Sequence, residues 1–106
     1  MIVYSHADCL LKFNGQNHPE RKERLVSIIN SIKSSNIQVK FKDAPLADLE
    51  TISLVHPKNY IEKIFANIPR KGIIGVEKEP YADTMLCPFS KNAILRSSGA
   101  GIAAAN

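Results

Sequence analysis

A chain of 106 residues with 44% hydrophobic and 23% charged side chains is one domain at most and has ordinary globular values, which argue against a disordered chain. Fourteen Lys and Arg against ten Asp and Glu leave a formal charge of +4. The positive charge is spread through residues such as Lys33, Lys40, Lys42, Lys58, Lys63, Lys71 and Lys78, with no arginine block and no interleaved aromatics, which fits a solvated surface better than a nucleic-acid groove. No apolar run approaches the length of a membrane span, and the cysteines, Cys9 and Cys87, stand far apart without a leader-like segment. A reduced, cytoplasmic protein with no membrane partner is the expectation.

In chain order, Met1–Tyr4 is a β-prone apolar run that predicts a buried strand. Ser5–Gln16 reads as a loop carrying His6, Asp8 and Cys9, then Leu10, Leu11 and Phe13, and it closes on an Asn14-Gly15 turn signal. A helix is predicted from Pro19 to about Ser34. Asn17 or His18 can cap it, Pro19 suits its first turn, and Glu20 faces the positive end of its dipole. Leu25, Ile28, Ile29 and Ile32 form one apolar stripe at helical spacing, with Arg24 at its edge. Ile37–Phe41 alternates apolar and polar residues and predicts a second strand. Strand, helix and strand make a βαβ unit, whose strands should be parallel and adjacent with the helix packed over them through that stripe.

Farther along, Ala44-Pro45 turns the chain and Asp48 can cap a short helix carrying Leu49, Ile52 and Val55. His56-Pro57 interrupts it, since a residue before proline avoids the helical region. Pro57 opens another helix with Tyr60, Ile61, Ile64, Phe65 and Ile68 on one side. Pro69–Phe89, which contains Gly72, Gly75, Pro80 and Pro88, reads as a long irregular connection of the functional or mobile kind. Ser90 is the expected cap of a last helix rich in Ala93, Ser97, Ser98, Gly99, Ala100, Gly101, Ala103 and Ala104. Each glycine in it costs roughly 1 kcal/mol against alanine, so something is expected to pack closely on that face. Two strands are too few for an independent α/β domain, and the last helix ends without a basic turn. The expectation is therefore that residues 1–106 are an incomplete N-terminal segment of a larger domain.

The chemistry-bearing residues are sparse. There is no G-x-G-x-x-G, Walker loop, C-x-x-C or H-E-x-x-H. His6 and Cys9 have the spacing of half a zinc site, which His18 and Cys87 would have to complete in space. The commoner alternative is that both cysteines are small buried hydrophobes and His6 is a loop residue. His56, at the end of an apolar helix, fits a hydrogen-bonded structural role. Arg24 is either one charge of a well-capped surface helix or an arginine turned inward. Asp83, beside Thr84 in the long connection, can accept hydrogen bonds from a substrate backbone, although capping a turn is commoner.

Taken together, Val3-Tyr4-Ser5, His18-Pro19-Glu20-Arg21-x-Glu23-Arg24-Leu25, Ala44-Pro45, Val55-His56-Pro57-x-x-Tyr60-Ile61, Asp83-Thr84 and a small-residue helix with Ser98-Gly99-Ala100 resemble the histone deacetylase and acetylpolyamine amidohydrolase family. The likeness is greatest to the bacterial branch related to class II deacetylases, and it covers this chain but only the N-terminal third of a family domain. It implies an α/β chain, the N-terminal βαβ portion of an arginase/deacetylase-type doubly wound parallel-sheet domain. It also implies a zinc-dependent amide hydrolysis in which an Asp-x-His pair and a second Asp hold the metal, a His-His pair moves protons and a tyrosine holds the oxyanion. Those motifs are absent here, so no catalytic residue, no metal ligand and no cofactor is expected in this chain, and zinc belongs to the complete domain. Carried over by position, Arg24 matches an arginine lining the inner channel below the metal and Asp83 matches a rim aspartate that contacts the substrate backbone. His18 and His56 match structural positions, and Lys12 lies where many relatives have a loop histidine. The implied partners are the remainder of the catalytic domain and an acetylated substrate. The chain alone is expected to be inactive. The alternative is a non-enzymatic interaction module retaining the first βαβ unit.

Overall fold

The computed structural model describes residues 1–77 and 83–106. Pro80 and Lys78, named above in the long connection and among the scattered lysines, lie outside the described residues. The elements in order are β1 (Ile2–Ser5), a 3-10 helix (Ala7–Leu10), α1 (Lys22–Ser34), β2 (Lys40–Asp43), α2 (Leu49–Ile52), α3 (Lys58–Ala66), β3 (Ile74–Gly75), β4 (Met85–Leu86) and α4 (Ser90–Ala105).

The fold is mixed α/β. β1 and β2 pair in parallel, with Ile2 opposite Lys40 and Ser5 opposite Asp43, as expected of a βαβ unit. Backbone bonds from Lys40 N–H to the Met1 carbonyl at 2.9 Å and from Ala44 N–H to the Ser5 carbonyl at 2.7 Å bracket the ladder. The second strand nevertheless begins three residues later than Ile37–Phe41 predicts, and a local contact explains the shift. Ser35 Oγ donates to the Ile32 carbonyl at 2.6 Å and accepts the Ile37 N–H at 3.3 Å, so a serine turn holds the start of that run out of the ladder. Ile37 stays exposed.

The helix expected from Pro19 begins instead at Lys22, and its cap position, Arg21, makes no side-chain cap bond. Neither Asn17 nor His18 caps it. Asn17 has φ 64°, the left-handed region that asparagine tolerates. The His18 ring accepts the Glu20 N–H at 3.0 Å, and Asn14 Nδ2 donates to the Glu20 carbonyl at 2.9 Å. These local bonds consume backbone groups that the first helical turn would have used. Leu25, Ile29 and Ile32 are half-buried, but Ile28 is 53% exposed and no residue of α1 is fully buried. The expected packing of this helix over the strands is corrected accordingly. α1 lies mainly against the 3-10 helix, while α4 is the helix along β1. A cation–π contact, Lys33 Nζ at 5.3 Å from the Phe41 ring centre, ties α1 to β2.

Downstream, Asp48 caps α2 as expected, its Oδ1 accepting the Thr51 N–H at 2.7 Å. Pro57 opens α3, which buries Ile61 and half-buries Ile64 and Phe65 but leaves Tyr60 exposed. The connection expected to be irregular contains an antiparallel pair, β3 with β4, in which Ile74 faces Leu86 and Gly75 faces Met85. Two-residue strands carry no alternation, so nothing in the sequence pattern marks them. Ser90 is the first residue of α4 and not its cap. Its Oγ accepts the Cys87 N–H at 2.8 Å, from a position with no exposed surface.

The buried centre is small: Ala44, Ala47, Ile61, Leu86, Cys87, Ala93 and Leu95 among the described residues. It forms where α4 crosses the segment after β2. There the Ala47 N–H donates to the Leu95 carbonyl at 3.0 Å, and Gly99 meets the Pro45 backbone. The glycine-and-alanine face of α4 is thus partly used inward. Gly101, by contrast, faces open space. Among the described residues, no helix is long and apolar enough to cross a membrane.

Candidate functional site

The carboxyl ends of β1 and β2, where ligands of open parallel sheets are usually found, lead into the 3-10 helix and the Ala44-Pro45 turn. A cavity of about 490 Å³ opens at these strand ends, lined by Tyr4, Ser5, Ala44 and Arg96, and two clefts that share Lys12 with it lie farther along the first loop. The smaller, about 230 Å³, is lined by Lys12, His18, Glu20, Arg21, Asp83 and Thr84, with Cys9, Asn14, Lys22 and Leu25. The larger, about 400 Å³, is mostly apolar, with Ile61, Ile64, Phe65, Leu86 and Ile94 in its walls. Lys12, Asp83 and Thr84 line both, so they form the partition between a charged cleft and an apolar one.

His18 fixes this partition. Its Nδ1 accepts the Glu20 N–H at 3.0 Å, so the ring proton resides on Nε2, which donates to the Asp83 carbonyl at 2.7 Å. This bond joins segments 65 residues apart. The ring is 16% exposed, whereas the Asp83 side chain is 94% exposed, with its Oδ1 3.4 Å from Nε2. On the other flank of the corner, the Thr84 carbonyl accepts the Val76 N–H at 2.9 Å, extending the β3–β4 pair. Lys12 Nζ donates to Asn14 Oδ1 at 2.8 Å. His56 and Tyr60 stack at 5.9 Å between ring centres and line the apolar cleft.

Arg24 is 58% exposed and ion-pairs with Glu20 one helical turn back. It lines neither cleft. The two positions singled out from the resemblance are therefore not brought to one place, and of the two only Asp83 borders these clefts.

The four residues weighed as a zinc site are divided as well. His6 Nδ1 accepts the Asp8 N–H at 3.0 Å and caps the 3-10 helix, while His18 serves Asp83. Cys9 Sγ lies 3.9 Å from the Ala93 carbonyl, and partial burial with the neighbouring Asp8 charge pushes its pKa up, Arg96 opposing. At Cys87, burial pushes the thiol pKa up, but hydrogen bonds from the Phe13 N–H, the Ser90 hydroxyl and the Phe89 N–H, with the Lys12 charge, outweigh it and bring it down. Among the described residues, no three His, Cys, Asp or Glu side chains come together as a group able to hold a metal ion.

One residue of consequence went unread in the sequence. Arg96 Nε donates to Asp8 Oδ2 at 3.1 Å and its guanidinium also donates to the Ala44 carbonyl at 2.9 Å, tying α4 to the 3-10 helix that follows β1 and to the turn that follows β2. A single arginine inside an otherwise small, uncharged helical stretch was the available signal. No protein-family model matches the chain, and no curated protein matches it significantly.

Proposed function

We propose that this chain is the N-terminal part of a zinc-dependent amidohydrolase domain of the histone deacetylase and acetylpolyamine amidohydrolase type, acting on acetyl-lysine, acetylpolyamine or a similar acylated amine. The supporting observation is the bond from His18 Nε2 to the Asp83 carbonyl. It joins two of the segments on which the resemblance rests, the His18-Pro19-Glu20 run and the Asp83-Thr84 pair, at the mouth of a cleft. The parallel β1–β2 pairing agrees with a doubly wound sheet of which this chain supplies two strands. In this reading Asp83 shapes the rim and Arg24 the inner channel once the rest of the domain is in place. The metal ligands and the proton-transferring histidines come from that remainder, and the isolated chain is inactive.

Complementation tests this. The purified chain, mixed with a polypeptide supplying His-His and Asp-x-His motifs and with zinc, should release acetate from an acetyl-lysine peptide or an acetylpolyamine, while neither part does so alone. Turnover by the isolated chain, or none by the mixture, would refute the proposal. A second reading, an interaction module without chemistry, is favoured by the exposure of Leu54 at 84% and Val55 at 81%. It predicts binding of a partner protein with no acetate release in either case.

A further inference from the structure

We propose that Asn14 is a self-modification site: the Gly15 amide nitrogen closes on the Asn14 side-chain carbonyl carbon, and the aspartate that results releases the first loop from the start of α1. The proposal stands apart from the deacetylase reading and uses only the chain's own groups and water.

Asn14 is the one asparagine of the chain that is followed by glycine. Its carboxamide is held at both ends. Lys12 Nζ donates to Oδ1 at 2.8 Å, and Nδ2 donates to the Glu20 carbonyl at 2.9 Å. A cation on Oδ1 draws electrons from the side-chain carbonyl carbon and stabilises the oxyanion that forms when a nucleophile adds there. The nucleophile is the next nitrogen in the chain. Gly15 has φ 116° and no Cβ to obstruct the approach, and among the described residues its N–H makes no backbone hydrogen bond. Asn14 lines the cleft of about 230 Å³ and also a neighbouring cavity of about 500 Å³ that Gly15 borders, so water and hydroxide reach the pair.

The Gly15 nitrogen gives its proton to hydroxide and bonds to Cγ of Asn14. The Cγ–Nδ2 bond then breaks, and the amide nitrogen takes a proton from water and leaves as ammonia. Water opens the resulting succinimide at one carbonyl to aspartate and at the other to isoaspartate. The new carboxylate keeps Lys12 as a partner but has no donor for the Glu20 carbonyl. In the unmodified chain that carbonyl is tied to Asn14, and the Arg24 N–H donates to the Arg21 carbonyl at 3.1 Å. Once freed, the Glu20 carbonyl stands at the helical i−4 position for the Arg24 N–H, so α1 starts earlier.

The test follows the chain at mildly alkaline pH by digestion and mass spectrometry. The folded chain should show the exchange of NH2 for OH at Asn14, with isoaspartate there, at least as fast as the chain unfolded in urea. Lys12→Met keeps the side-chain length without the charge. With its fold checked by circular dichroism, it should slow the change at position 14 about three- to tenfold, the scale of one hydrogen bond. Gly15→Ala is a poorer probe, because the left-handed φ and Ile73 Cδ1 at 3.4 Å from an added Cβ would disturb the loop. Asn14→Asp makes the product directly, and NMR should show the Arg21 carbon shifts turning helical. Slower modification in the folded chain than in urea, or an unchanged rate in folded Lys12→Met, would overturn the proposal. Unchanged Arg21 shifts in Asn14→Asp would overturn the release of α1.

Discussion

Gly99 in α4 and the carbonyl of Pro45 lie so close that a Cβ built on Gly99 would stand 1.8 Å from that oxygen and 3.1 Å from the Ala47 nitrogen. The obstruction is backbone, so it cannot swing aside like the tip of a flexible side chain. Gly99→Ala must push α4 away from the turn after β2, lengthening the bond from the Ala47 N–H to the Leu95 carbonyl. The expected loss is about 1–3 kcal/mol, the usual scale of overpacking, read as a lowered urea midpoint. Gly101→Ala is the control. Its Cβ meets nothing within 4 Å, and helix propensity predicts a gain of about 0.8–1 kcal/mol.

Arg96 offers a second test of what holds α4 in place. Its side chain and that of Asp8 are 22% and 23% exposed, sheltered enough for the charge-assisted bond to resist screening by salt. Arg96→Ala removes the donors to Asp8 and to the Ala44 carbonyl together and should cost about 1.5–3 kcal/mol, the range for hydrogen bonds to charged groups. Arg96→Lys should rescue little, because one ammonium does not reproduce a planar fork reaching two acceptors. Equal stability of the Ala variant and the unsubstituted chain would show the contact to be dispensable.

The elements that were legible in the sequence are those whose signals are local and repeated. Two β-prone runs separated by a helical stripe predicted a parallel pair, and Asp48 and Pro57 marked the starts of α2 and α3. The signals failed where one side chain redirected the backbone. His18 and Asn14 hold Glu20 in a turn and delay α1, and Ser35 holds Ile37 out of β2. The β3–β4 pair is too short for any period to show. At the site, Asp83 was legible as a loop residue facing solvent, and it borders both clefts. The orientation of Arg24 was not, because it depends on Glu20 lying one turn back. Nor was the Lys12 partition, which only the folding of the first loop against residues 83–84 creates.

Ser90 has no exposed surface, and its hydroxyl accepts the Cys87 N–H at 2.8 Å. Ser90→Ala leaves that buried donor without a partner, a cost of about 1–3 kcal/mol. The substitution also takes one hydrogen bond from the Cys87 sulfur, so the thiol pKa should rise from its lowered position. Thiolate absorbance titrated from pH 6 upward would read the shift, and a chemical melt would read the stability. An unchanged thiol titration would mean that the Phe13 and Phe89 N–H groups and the Lys12 charge set it without Ser90.

Asp48 supplies the pH dependence of α2. Hydrogen bonds from the Thr51 N–H and then the Thr51 hydroxyl, opposed by slight desolvation, hold its carboxyl below the ordinary aspartate value. A lowered folded value means that the cap stabilises the helix above the unfolded pKa, near 4 for aspartate, and that this stabilisation is lost as pH falls through the folded value. The Thr51 amide resonance should therefore move as the medium is acidified below about pH 4, in step with the Asp48 carboxyl. Asp48→Asn keeps an acceptor and should abolish that titration while preserving α2, whereas Asp48→Ala should lose the cap at every pH. A Thr51 shift surviving in the Asn variant would assign the titration to another group.

The last prediction concerns the apolar surface. α4 turns Ala93, Leu95 and Gly99 inward, and the most exposed large apolar side chains lie elsewhere. Leu54 and Val55, at 84% and 81%, follow α2, and Phe13 in the first loop, Ile28 on α1 and Ile37 before β2 each exceed half exposure. Fully burying a side chain such as leucine or valine contributes about 1.5–3 kcal/mol, so adjacent copies gain by covering the Leu54-Val55 pair. Sedimentation of the isolated chain should show a weight-average mass rising with concentration, and its melting midpoint should rise in parallel. Leu54→Ser with Val55→Thr should suppress both trends without lowering the dilute-limit midpoint, since neither residue is part of the buried centre. A monomer with a sharp, concentration-independent unfolding transition at high temperature would contradict this, and would mean that the few buried residues suffice to hold the chain together.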